Sequence, residues 1–119
     1  MMSYHMDVLR VDLHLQKTDP NTLEQKVAEL REQEKLWLGW IVGRGHIEPE
    51  IACFDWDRSF IRDLLYLRDL GVRGHMILLG SEDELVKYEL GDDAVRVYEA
   101  RHVLTKRPRR VYRRPGDVG

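Results

Sequence analysis

The 119-residue chain holds 43% hydrophobic and 34% charged residues at a formal net charge of −2, the balance of a folded globular domain and a length that fits one domain better than two. A domain of this size can bury a core without disulfide or metal staples. Its single cysteine, Cys53, excludes an intramolecular disulfide and a zinc site built from several cysteines within one chain. No apolar stretch approaches the roughly 20 residues of a membrane span, and the N-terminus, Met1 to Asp7, has neither the basic start nor the apolar middle of a secretion signal. A cytoplasmic protein without a membrane partner is therefore expected.

The small net charge conceals a division. Residues 1–100 hold 12 Lys/Arg against 20 Asp/Glu, a net of −8, and residues 101–119 hold 7 Lys/Arg against one Asp, a net of +6. An acidic body thus carries a basic tail, a split that often marks an interaction segment.

In chain order, residues 8–16 alternate, with Leu9, Val11, Leu13 and Leu15 on one side and Arg10, Asp12, His14 and Gln16 on the other, which predicts a half-buried strand. Asp19-Pro20 then marks a helix start, with Asp19 as cap and Pro20 where its missing N–H costs nothing. Leu23, Val27 and Leu30 share one face of that helix, and its glutamates are read as a solvated face. Residues 36–42 form a short apolar run rich in strand formers. Gly43-Arg44-Gly45 turns the chain into a further strand from about His46 to Phe54, in which Pro49 marks an edge or a bulge.

Asp55 or Asp57 is expected to cap a second helix running to about Leu70, closed by Gly71. Met76 to Leu79 reads as a short buried strand. Ser81-Glu82-Asp83-Glu84 has the capping-box pattern and predicts a short helix to about Leu90, closed by Gly91. Residues 94–104 read as a last strand.

The resulting order, β-α-β-β-α-β followed by α-β, matches the ferredoxin-like split pattern over roughly residues 7–80. The expected fold is therefore α+β: a ferredoxin-like βαββαβ core, with an antiparallel sheet and helices on one face. A short helix, a fifth strand and a basic tail extend it. Residues 1–104 form the single domain and residues 105–119 a flexible basic tail. The match is one of topology, and such an architecture does not name a function.

Nucleophile-elbow, Walker and dinucleotide-binding motifs are absent, as are paired metal-binding histidine motifs. Leu79-Gly80-Ser81 ends a strand before a helix start, but Glu82, Asp83 and Glu84 would repel a phosphate there. Cys53, within Ile51-Ala52-Cys53-Phe54, is read as a small buried hydrophobe. Of Trp37 and Trp40, one is expected in the core and the other on the open sheet face, available to a base or to a subunit interface.

Two constellations remain. If the first strand lies beside the third, Asp12, His14, Glu48 and Glu50 converge on the open face, a ligand set suited to manganese, iron, zinc or magnesium and to metal-dependent hydrolysis. The plainer alternative is that Arg10 and His14 pair with the glutamates on a solvated face. No other cofactor is implied.

The second constellation is Lys106, Arg107, Arg109, Arg110, Tyr112, Arg113 and Arg114, dominated by arginine and without an acid. Arginine favours bidentate phosphate contacts, and Tyr112 offers a stacking surface. The preferred reading is a non-enzymatic, self-associating binding domain whose tail contacts nucleic acid or an acidic partner. The alternatives are a metal-dependent hydrolase or nuclease, and an interaction subunit whose tail orders only within a complex.

Overall fold

The computed structural model describes residues 4–16, 18–100 and 110–113. They form a mixed α+β architecture of antiparallel sheets and two helices. The elements are β1 (His5–Leu15), α1 (Pro20–Glu32), β2 (Trp40–Val42), β3 (Ile47–Pro49), β4 (Cys53–Asp55), α2 (Arg58–Asp69), β5 (Val72–Gly80), β6 (Leu85–Leu90), β7 (Val95–Ala100) and β8 (Arg110–Tyr112). The main sheet runs β4-β1-β5-β6-β7-β8, and β2 and β3 form a separate two-stranded sheet. All the pairings are antiparallel.

This order departs from the βαββαβ expectation. β1 lies between β4 and β5, and the second and third strands leave the main sheet. The strand expected from His46 to Phe54 breaks after Pro49. Its first part pairs with β2, and its last part, Cys53–Asp55, crosses to β1. Pro49 does occupy an edge, since β3 has β2 as its one ladder partner.

The segment read as a short helix, residues 82–90, is a hairpin arm instead. Val86, Tyr88 and Leu90 are buried and alternate with the less buried Leu85, Lys87 and Glu89. That period of two overrides the capping-box pattern of Ser81 to Glu84. Gly80 N–H donates to Glu84 O at 2.8 Å and Asp83 takes φ +61°, so these residues make the β5–β6 turn. Gly91 closes the next turn, with its N–H donating to Ala94 O at 2.9 Å.

β1 behaves as alternation dictates only from Val11 onward. Its register against β5 slips between Val8 and Arg10. This bulge turns Met6 and Val8 to the same side as Val11, Leu13 and Leu15, and it pushes Leu9 out to 55% exposure.

Both helices start where their caps indicate. Asp19 accepts from Thr22 N–H at 3.2 Å, and Asp57 accepts from Ser59 N–H at 2.8 Å. α2 ends at Gly71, whose φ of +97° an L side chain would resist. The buried face of α2 centres on Phe60, Ile61, Leu64 and Leu67. Phe60 meets Phe54 of β4 and Tyr88 of β6, with ring centroids at 4.9 and 5.0 Å, and stacks on Trp40 of β2 at 6.5 Å. One ring therefore joins both sheets to α2.

The side chain and backbone N–H of Ser59 hold the Asp57 carboxyl below its usual 3.8. A carboxylate stabilised in this way supports the fold above pH 3.8 and loses that support as pH falls through its depressed folded value. Asp57→Ala is accordingly expected to lower Tm at neutral pH, with the gap from wild type closing in strong acid. Paired thermal melts at the two pH values check this, and a gap that persists in acid would assign the loss to something other than the ionised cap.

Candidate functional site

Asp12 and His14 project from the solvent face of β1, as expected, with their neighbours on β5 rather than at Glu48 and Glu50. Asp12 stands opposite His75, with Oδ2 at 4.0 Å from His75 Nε2 and 3.9 Å from Arg10. His14 is opposite Arg73 on one side and bridges to His46 on the other. The turn at Gly45 therefore reaches β1, and Leu15 N–H donates to Gly45 O at 3.3 Å.

Glu50 is engaged elsewhere, 3.4 Å from Arg31 of α1, which also donates to Trp40 O. Glu48 and Glu50 share the lining of an open hollow of about 230 Å³ with Val8, Val11, Ile41 and Ile51. Among the described residues, Asp12, His14, Glu48 and Glu50 do not form a group of three mutually close ligand atoms.

A different set does. His5, Asp7 and Cys53 bring one ligand atom each to within 4.8 Å of one another. Cys53 is exposed rather than buried, because the β1–β4 register sets it opposite Asp7 and turns Phe54 into the core. The alternation His5-x-Asp7 and Cys53-x-Asp55 is visible in the sequence, but the pairing of segments about 50 residues apart is not.

The basic segment enters the fold at its other edge. Arg110 to Tyr112 pair with Val97 to Val95 as β8, the last strand of the main sheet. Tyr112 is half-buried against the core and anchors the strand. Arg113 Nη2 approaches Asp93 Oδ2 at 3.9 Å, and the same carboxylate holds Arg96 at 2.8 Å. Those contacts, led by Arg96, keep Asp93 below its ordinary carboxylate value. Lys106, Arg107, Arg109 and Arg114 lie outside the described residues, as does the junction at residue 105 between body and tail. Among the described residues, β8 is the last strand of the main sheet.

Of the tryptophans, Trp40 is in the core at 3% exposure. Trp37 is partly exposed in the loop before β2, edge-on to Phe54 at 5.7 Å. Asp63 of α2, which sequence reasoning passed over, is fully buried beneath this loop. It accepts from Trp37 N–H and Leu38 N–H, each at 2.8 Å, and from Trp40 Nε1–H at 3.0 Å. Burial pushes its carboxyl above 3.8, against the pull of these three donors and of Arg62. Fully buried and bonded to three donors, Asp63 has the chemistry of a clamp. Among the described residues, no helix is long and apolar enough to cross a membrane.

These features define an α+β domain whose main sheet ends on a strand drawn from the basic segment and whose outer face mixes charged residues with Ile77, Leu79 and Leu85. Comparison with known protein families, curated proteins and solved structures finds no match to the chain.

Proposed function

We propose that this chain is a non-enzymatic binding domain whose C-terminal basic segment contacts nucleic-acid phosphates. The observation that carries this reading is the docking of part of that segment as an edge strand. The β7 ladder and Tyr112 hold Arg110 and Arg113 at a fixed margin of an otherwise acidic body. An arginine array fixed at one end loses less freedom on binding than a free tail does. Arginine forks match phosphate geometry, whereas the acidic body repels the same ligand and sets its approach to that edge. Self-association belongs to the same reading, with Leu9, Ile77, Leu79 and Leu85 supplying apolar area on the outer sheet face.

The test is fluorescence anisotropy of labelled single-stranded RNA and of duplex DNA, titrated with the full chain across a salt series. Engagement of four arginines predicts a slope of log K against log salt of about −3. The combined Arg107→Gln, Arg109→Gln, Arg113→Gln and Arg114→Gln variant is expected to weaken binding and flatten that slope. Absence of binding at low salt, or equal binding by the variant, would overturn the reading. Equally tight, equally salt-sensitive binding to poly-glutamate would replace nucleic acid with an acidic protein partner.

A further inference from the structure

At the opposite edge of the main sheet, the β1–β4 register places His5 across from Asp55 and Asp7 across from Cys53. Each strand contributes residues i and i+2, so all four side chains leave the same face. His5 Nε2 lies 3.3 Å from Asp7 Oδ1, and its Nδ1 lies 3.3 Å from Asp55 Oδ1. Cys53 Sγ completes, with His5 and Asp7, a triangle of ligand atoms within 4.8 Å. Tetrahedral coordination with bonds of 2.0–2.3 Å sets ligand atoms about 3.3–3.8 Å apart. The His5–Asp7 separation already falls in that range, and rotamer adjustment of an exposed thiol covers the rest.

We infer that His5, Asp7 and Cys53 form a binding site for a borderline divalent cation of the zinc class, with Asp55 orienting the imidazole. One nitrogen, one sulfur and one carboxylate oxygen suit zinc or cobalt and do not suit magnesium or calcium, which take oxygen ligands. With the cation on Nε2 the ring proton lies on Nδ1, where Asp55 is placed to accept it. Binding releases the Cys53 proton to solvent and forms the metal–thiolate bond. Three protein ligands leave a fourth position to water or to an exogenous donor. Because β4 is an edge strand joined to the main sheet through β1, the cation also clamps that edge.

The test titrates the full chain with zinc chloride by calorimetry and with cobalt(II) by absorption. Cys53 is the only cysteine, so a cobalt–thiolate charge-transfer band and protection from alkylation each report on one site. One cation per chain is expected, with the cobalt band present and Cys53 alkylation slowed by zinc. Cys53→Ser is expected to remove the band, His5→Ala and Asp7→Asn to weaken zinc binding at least tenfold, and Asp55→Asn to weaken it about tenfold through the lost orienting contact. The substituted side chains are exposed, and unchanged melting curves without metal certify that the variants fold. Absence of the band overturns the inference, as does zinc binding that is the same in Cys53→Ser and Asp7→Asn. A band that survives His5→Ala unchanged also overturns it, because the thiol is then acting alone.

Discussion

Asp63→Ala is expected to cost about 4 kcal/mol of unfolding free energy, because it strips one acceptor from three donors at once, each worth about 1–3 kcal/mol when left buried and unpaired. The two oxygens divide the work. Oδ1 takes Trp37 N–H, and Oδ2 takes Leu38 N–H and Trp40 Nε1–H. Trp37 is partly exposed, so its N–H can turn to water, whereas Leu38 and Trp40 are buried and have no such recourse. The sum therefore stays below three full penalties. It is still a large share of the 5–15 kcal/mol that holds a typical domain together.

Asp63→Asn separates charge from shape. One amide oxygen can keep two of the bonds while the NH₂ confronts the third donor, so an intermediate loss is expected. The sign of the pH dependence follows from burial, which raises the folded carboxyl above 3.8. Its linkage contribution is fully present below pH 3.8 and is lost as pH rises through the raised folded value. The advantage of wild type over Asp63→Asn should thus narrow from acid towards neutral pH. Urea unfolding followed by tryptophan fluorescence reads all three proteins. A loss for Asp63→Ala below about 1 kcal/mol, typical of an ordinary surface position, would remove Asp63 from its place as a clamp.

Asp63 also shows which features the sequence displays and which it withholds. Capping is local chemistry, so Asp19-Pro20, Asp57 and Gly71 mark helix ends correctly. The alternation of Val11, Leu13 and Leu15 likewise marks the buried side of β1. Residues 81–90 carry two local signals, a capping box and a period-two pattern. Long-range pairing with β5 and β7 decides between them by burying Val86, Tyr88 and Leu90. The strand break at residues 50–52, the bulge at Leu9 and the outward turn of Cys53 depend on register between distant segments, which composition and spacing do not encode. The same limit applies to the candidate sites. The basic segment is legible because its residues are contiguous. The His5–Asp7–Cys53 cluster is not, because two strands about 50 residues apart assemble it. Asp63 reads as one more charge on a helix until its donors, 23 to 26 residues back along the chain, are placed above it.

Gly74→Ala is the second large effect, expected to cost on the order of 3 kcal/mol, at the upper end of what one strained residue adds. Gly74 lies within β5 at φ +120°, a conformation that L side chains rarely adopt. A Cβ there runs into the backbone carbonyl of Asp12 on β1. Backbone cannot swing aside as a side-chain tip does. Relief would require β1 to shift, breaking the pairs Asp12↔His75 and Leu13↔Gly74 and moving Leu13 in the core. Gly45 supplies the control. It too has positive φ, +74°, but a Cβ there meets nothing within 4 Å. Gly45→Ala should therefore carry only the conformational penalty, about 1–2 kcal/mol. Urea midpoints measure the difference, and hydrogen exchange along β1 and β5 locates it. Faster exchange confined to those strands in Gly74→Ala would place the strain at the close approach. Equal losses for the two variants would mean that φ alone sets the cost and that β1 can yield at Asp12 without disturbing the sheet.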